Sequence, residues 1–419
     1  MRLTVLYRKL GPGFITGASD DDPSGIATYS QTGAQFGYQQ LWTAPFSFPF
    51  MAVIQEMVGR IGLVTGRGLA AIIKQHYSKK VLYFTVGLLL IANVINIGAD
   101  LGAMAAVVQL VFGLPFVLWL LIITILTVLL EIFVSYQVYA RFLKYLTFSL
   151  FAYFITAIIV KQDWGAALYA TVIPHIVFNE QYLLNIVAIL GTTISPYLFF
   201  WQASEEVEEE VAHHKLKEMD QGRPRVGFKD IKDMRLDTVM GMFFSNLVMF
   251  FIILTTAATL GGQGITDIAT AAEAAEALRP LAGDFTFVLF ALGIIGTGLL
   301  AIPILAGSAS YAVSEALGWR SGLYRKLVKA HGFYGVIIIA TVAGLLVNFL
   351  SVPPFKMLYY TAVLNGLIAP PLMVLIILIA KRRDIMGHYV NSRFSNVMGS
   401  LAAVIMAVAG LALISTIFI

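Results

Sequence analysis

The chain has 419 residues, of which 58% are hydrophobic and only 12% charged, and its mean hydropathy is +0.82. Soluble domains carry about 25% charged residues, so a water-soluble globule and a disordered chain are both excluded. The net charge of +4 fits basic cytoplasmic loops of a membrane protein rather than a nucleic-acid partner, and the absence of cysteine excludes disulfides and thiolate metal sites.

A transmembrane helix needs about 20 mainly apolar residues. After a short basic stretch, Met1 to Leu10 with Arg2, Arg8 and Lys9, which reads as a cytoplasmic tail rather than a signal peptide, the chain offers eleven candidates. They lie near 12–37, 41–64, 81–111, 115–136, 142–161, 182–203, 237–260, 285–312, 332–350, 356–380 and 396–418. The third and eighth exceed the length a span needs. With the N-terminus inside, the 28 Lys and Arg residues collect on the inner side, and only Lys161, Arg279 and Lys356 fall outside it. That asymmetry supports both the count and the orientation. The longest polar stretch, near 204–236, is too short and too charged to build a core.

The first span is interrupted at Gly17-Ala18-Ser19-Asp20-Asp21-Asp22-Pro23-Ser24-Gly25, and the sixth at Gly191-Thr192-Thr193-Ile194-Ser195-Pro196-Tyr197. Pro23 and Pro196 each remove a backbone donor, and backbone groups freed at bilayer depth must be buried or line a cavity. Two such breaks could be ordinary proline kinks. Their matching places, each opening a set of five spans, point instead to an inverted-repeat transporter with its site at the breaks.

Acidic residues at bilayer depth are functional candidates. Asp22 adjoins the first break and offers hard oxygen to a cation. Asp20 and Asp21 cannot both point the same way as Asp22, so at least one is expected along an approach to the site or protonated. Asp100 lies deep in the third span, with a structural hydrogen bond as its alternative role. Glu56 and Glu131 sit nearer span ends, where structural roles are expected. All six histidines map to loops or span ends, which argues against a histidine proton relay. No Lys or Arg lies centrally, which argues against an anionic cargo. The run Glu205, Glu206, Glu208, Glu209 and Glu210 is either a solvated face or an attractor for cations at the inner mouth.

These residues resemble the natural resistance-associated macrophage protein (NRAMP) family of divalent-metal transporters along nearly the whole chain. The likeness runs through Asp22-Pro23-Ser24-Gly25, Gly33-Ala34-Gln35-Phe36-Gly37-Tyr38, Gln55-Glu56-Met57, Val64-Thr65-Gly66-Arg67-Gly68-Leu69-Ala70, Ala99-Asp100-Leu101, Pro196 with Ser204, and Met386-Gly387. The resemblance implies an all-α polytopic membrane protein with eleven transmembrane helices. It also implies a LeuT-type 5+5 inverted repeat, with helices 1 and 6 broken around the ion. One transporter domain over 1–419 would then hold a first repeat at 1–161, a second at 182–380 and an extra helix at 396–418.

The chain departs from the family pattern at the ion site. Ser24 and Gly25 replace the Gly and the ligating Asn after Asp-Pro. Ser195 and Tyr197 replace the ligating Met and the His around Pro196. Ala103 replaces a Glu three residues after Asp100. The pattern looks more like the NRAMP-related magnesium branch than the proton-coupled manganese and iron branch. Oxygen ligands suit magnesium and manganese where a thioether favours softer metals, and the smaller side chains leave room for a partly hydrated ion. The expected metal site is Asp22, Ser19, Gly25, Thr192 and Ser195, and the expected surroundings or pathway are Asp20, Asp21, Asp100, Tyr197, Glu205 and Glu206. The sequence therefore leads to an uncoupled magnesium transporter that also accepts manganese. It is expected as a monomer in the plasma membrane, with no cofactor, no nucleic-acid partner, and the divalent ion and the lipid bilayer as its partners. The alternatives are a proton-coupled manganese or iron importer and a non-transporting sensor on the same fold. No His-Glu-x-x-His or Gly-x-Ser-x-Gly run suggests an enzyme.

Overall fold

A computed structural model describes residues 11–134, 148–350 and 352–417. In chain order the main helices are α1 Pro12–Asp20, α2 Pro23–Phe36, α3 Thr43–Thr65, α4 Leu69–His76, α5 Lys79–Phe112, α6 Phe116–Phe133, α7 Phe151–Ile159 and α8 Trp164–Val172. They continue as α9 Glu180–Thr193, α10 Pro196–Ala212, α11 Phe228–Thr259, α12 Thr286–Leu317, α13 His331–Val347, α14 Pro354–Lys381 and α15 Arg393–Ile417. Among the described residues every expected span falls on helix. The basic tail and part of the fifth span, with Arg141 and Lys144, lie outside the described residues.

Among the described residues, eight helical stretches are long and apolar enough to cross a membrane without help. The remaining expected spans are the broken first one, the partly described fifth and the 17-residue α13. The third and eighth spans are long, as expected, at 34 and 32 residues. The polar connection between the sixth and seventh spans is shorter than the sequence suggested, because α10 continues to Ala212 and α11 already starts at Phe228.

Both breaks have the same local cause. The chain leaves α1 at Asp21 (φ −83, ψ 49), turns extended at Asp22 (φ −68, ψ 171), and restarts with Pro23 at the first position of α2. It leaves α9 at Ile194 (φ −121, ψ 63), is extended at Ser195 (φ −80, ψ 129), and restarts with Pro196 at the first position of α10. Proline suits that position because its missing N–H would have no intrahelical partner there.

Close helix approach holds the broken spans in place. Gly17 of α1 lies so near Gly241 of α11 that a Cβ would come within 2.3 Å of backbone, and Gly33 of α2 meets Thr256 and Ile253 of α11 in the same way. Gly62 of α3 lies against the Ala203 backbone of α10, and Gly191 of α9 against Ala362 and Gly366 of α14. Small residues at such crossings drive packing inside a bilayer, where apolar side chains gain nothing by leaving lipid for protein. The Asp237 carboxylate of α11 fixes the start of α1, accepting from the backbone N–H of Gly11 (2.9 Å) and Gly13 (2.8 Å).

Candidate metal site at the two helix breaks

Asp22 caps α2. Its Oδ1 accepts from the Gly25 backbone N–H (2.8 Å) and the Ser24 hydroxyl (2.6 Å). Its Oδ2 accepts from the side-chain amide of Asn96 on α5 (3.0 Å). Two contacts join one break to the other. The Ser24 and Thr192 hydroxyl oxygens lie 3.4 Å apart, and the Tyr197 hydroxyl donates to the Ser19 carbonyl at 3.2 Å. Gly25 closes the group: a Cβ there would lie 3.3 Å from the Asp20 carbonyl, 3.3 Å from the Tyr29 ring and 3.4 Å from the Thr192 hydroxyl. A Cβ there would press on all three, so the absent side chain is what lets those groups come close together. Asp22, Ser24, Asn96, Thr192, Ser195 and Tyr197 are all buried.

The helix ends add to the field at this place. The C-termini of α1 and α9 bring partial negative charge from their last carbonyls and the N-termini of α2 and α10 partial positive charge, so the carboxylate of Asp22, which caps α2, leaves the net charge at the breaks negative. The expected ligands divide accordingly. Asp22, Gly25 and Thr192 come together. The Ser19 hydroxyl turns back on the carbonyls of Ile15 (3.0 Å) and Thr16 (2.9 Å), and the Ser195 hydroxyl on those of Gly191 (3.0 Å) and Thr192 (2.8 Å). Asp20 and Asp21 face α11 instead, where the Ser245 hydroxyl donates to Asp20 Oδ2 at 2.6 Å and lies 3.3 Å from Asp21 Oδ1. Among the described residues no three His, Cys, Asp or Glu side chains converge as a metal cluster. The groups gathered at the breaks are one carboxylate with hydroxyls, an amide and backbone carbonyls. Such a set suits a hard cation that keeps part of its water shell.

Asp100 lies one helical turn beyond Asn96 on the same face of α5, fully buried, and neither of its carboxylate oxygens has a hydrogen-bond partner. The structural hydrogen bond that the sequence offered as its alternative role is therefore absent. Asn96 and Ser245 were not singled out in the sequence. For Asn96 a signal existed, since it sits four residues before Asp100.

The acidic run is not a solvated face. Glu206, Glu208 and Glu210 are buried, and Glu205 and Glu209 are half-buried. Glu208 accepts from the Tyr311 hydroxyl and the Leu323 backbone N–H, and Glu210 pairs with Lys215 at 3.0 Å. Extension of α10 to Ala212 carries the run between packed helices, which is why it escapes solvent. Glu56 has the structural role expected of it: it holds Arg60 (3.0 Å) and Arg235 (2.9 Å), and Arg60 also reaches the Asn391 side chain at 2.6 Å.

A family model described as "Natural resistance-associated macrophage protein-like" matches residues 13–416. The "Divalent metal cation transporter MntH" of Clostridium acetobutylicum is 29% identical over 418 residues, covering 96% of this chain and 89% of that protein. Among solved structures, the manganese transporter of Eremococcus coleocola is similar with a TM-score of 0.76 at 17% identity, over 99% of this chain and 88% of that one. A nucleobase-cation-symport-1 family transporter in a closed conformation is similar with a TM-score of 0.61 at 14% identity, over 97% of this chain and 93% of that one. The fold is the all-helical, LeuT-type arrangement with broken first and sixth spans.

Proposed function

The chain belongs to the natural resistance-associated macrophage protein-like family, and from that premise we propose that it carries divalent metal cations across the membrane by alternating access. Magnesium is the favoured cargo, manganese is accepted, and no proton is coupled to their movement. The observation that carries this reading is the group gathered at the breaks: Asp22, the Ser24 and Thr192 hydroxyls, the Asn96 amide, and the Asp20 carbonyl beside Gly25. Magnesium gives up water reluctantly and is usually held through one or two carboxylates with waters retained. A single carboxylate among neutral oxygen groups matches that preference.

The paired breaks support two inverted five-helix repeats, 1–161 and 182–380. Packing supports them too: α1 and α2 sit on α11 through Gly17 and Gly33, and α10 sits on α3 through Gly62. These are equivalent pairings if the first span corresponds to the sixth and the second to the seventh. The asymmetry of Lys and Arg supports an N-terminus on the cytoplasmic side of the plasma membrane. Uptake of magnesium and manganese into proteoliposomes, each competing against the other, tests the function. Saturable uptake that Asp22→Ala abolishes supports it, and uptake unchanged by that substitution rejects the site.

A second reading, a proton-coupled manganese importer, draws on the buried, unpartnered Asp100 and on the Eremococcus relative, which is named a manganese transporter. A pH-sensitive dye inside the same vesicles separates the two.

A further inference from the structure

The last turn of α6, the middle of α12, the start of α13 and the connection at 318–330 enclose a cavity of about 310 Å³. Its wall includes Glu131, Pro303, Leu323, Tyr324, Lys326 and Tyr334. Glu131 is buried, and its Oε1 has no hydrogen-bond partner. Its Oε2 lies 3.4 Å from the Thr341 hydroxyl, but that hydroxyl has one hydrogen and a shorter bond to the Ile337 carbonyl at 3.0 Å. Glu131 makes no ion pair among the described residues. A buried carboxylate with one oxygen unpartnered and the other held only by a long bond is costly, and this one stands in the last turn of a helix, where the dipole disfavours an anion further. Both effects would be relieved by a cation with hydrogens to donate.

The same wall also carries basic side chains, Arg325 and Lys326. Arg325 is already held by Glu218 at 2.9 Å and stacks on Tyr324, and the Tyr334 hydroxyl donates to the Arg325 carbonyl at 2.8 Å. Lys326 is exposed, and its ammonium makes no hydrogen bond or ion pair among the described residues. A bare divalent ion does not fit, since it needs several oxygen ligands and Glu131 supplies the only carboxylate among the described residues of the wall. On the same helix as Glu131, the apolar side chains of Ile125, Leu126, Leu129 and Phe133 are exposed, as on a face turned to lipid.

We propose that this cavity binds a primary ammonium joined to a phosphate, with the ammonium on Glu131 and the phosphate on Lys326. The source is an ethanolamine phospholipid whose acyl chains lie along α6, or free phosphoethanolamine. A quaternary choline group has no N–H to give Glu131 and is bulkier, so it is discriminated against. An anionic glycerol headgroup lacks the cation altogether.

The test is native mass spectrometry of the purified full-length protein, released from detergent with ethanolamine, choline or glycerol phospholipids of matched chains. Soluble phosphoethanolamine is added as a separate arm. The expected result is retention of the ethanolamine lipid about tenfold over the choline lipid. Glu131→Gln removes that preference, and Lys326→Glu, an exposed change that leaves the core intact, weakens the ethanolamine lipid about tenfold. Displacement of the lipid by phosphoethanolamine at comparable concentration assigns the site to the soluble source, and its failure to compete assigns it to the bilayer. Equal retention of ethanolamine and choline lipids by the unmodified protein overturns the proposal, as does an undiminished preference in Glu131→Gln. Glu131 is then a neutral structural carboxyl or a partner for Lys326.

Discussion

The Asn96 amide nitrogen lies 3.0 Å from Asp22 Oδ2, while Asn96 Oδ1 has no hydrogen-bond partner. The amide donor thus stands where a positive ion would meet the carboxylate. Turning the amide over presents its carbonyl oxygen beside Oδ2 and converts a donor–acceptor pair into two ligands for one cation. Asn96→Ala is expected to raise the KM for divalent uptake about tenfold, near 1.4 kcal/mol, with little change in the maximal rate. Initial-rate uptake into proteoliposomes checks this. A lowered KM would mean that the amide competes with the ion rather than joining it.

Gly25 tests how closely the groups at the breaks pack around the ion. A methyl at this position meets the Asp20 carbonyl, the Tyr29 ring and the Thr192 hydroxyl at 3.3–3.4 Å, so these neighbours must give by a few tenths of an ångström and the site narrows. Gly25→Ala is therefore expected to reduce magnesium uptake more than manganese uptake, because magnesium holds its water more firmly. The ratio of the two rates in one preparation is the readout, and an unchanged ratio would place the ion elsewhere.

Asp237 anchors the first half-helix through two charge-assisted bonds, to Gly11 N–H and Gly13 N–H. Asp237→Ala removes both and leaves the start of α1 uncapped, a loss of about 1–2 kcal/mol. The melting temperature of the purified protein should fall, whereas Lys232→Ala on the exposed side of α11 should leave it within the small range of surface changes.

Both breaks were legible because proline marks them directly and aspartate before proline is a helix-capping signal. Asp22 followed from the same signal. What joins the breaks was not legible. The contacts of Asp22 with Asn96, of Ser24 with Thr192 and of Tyr197 with Ser19 depend on which helix faces meet, and the partners lie far apart in sequence. That Asp20 and Asp21 could not both point with Asp22 was legible from helix geometry, but not that Ser245 draws both of them to α11. The run from Glu205 to Glu210 read either as a solvated face or as an attractor for cations, because charge density says nothing of Tyr311 and the Leu323 N–H, which lie a hundred residues on and take up Glu208.

Ser195 stands at the start of α10 with its hydroxyl tied to the carbonyls of Gly191 and Thr192. Ser195→Met frees those carbonyls and puts a polarizable thioether at the break. Selection should tilt toward manganese or cadmium, which accept softer ligands, and magnesium transport should weaken. Competition of cadmium against magnesium in the uptake assay measures the tilt. An unchanged order would mean that the α9–α10 break does not touch the ion.

The last expectation is transport driven by the membrane potential alone. Where the family pattern carries a His and a Glu, this chain has Tyr197 and Ala103, and the Tyr197 hydroxyl serves to tie α10 to the Ser19 carbonyl. Asp100 is the acidic group left on that face of α5, buried and without a partner. No proton is required energetically. Moving one charge across 100 mV is worth about 2.3 kcal/mol, so a divalent ion gains about 4.6 kcal/mol. At about 1.4 kcal/mol per factor of ten this supports roughly a thousandfold accumulation, ample for an abundant ion, whereas scavenging a scarce metal would benefit from a proton gradient. The measurement uses proteoliposomes loaded with a pH-sensitive dye and given magnesium or manganese under a negative-inside potential. Metal should enter without acidifying the lumen, and Asp100→Asn should alter the rate without creating or removing a proton signal. Acidification that tracks metal entry and vanishes in Asp100→Asn would instead make Asp100 the carrier of a coupled proton, and the protein a symporter.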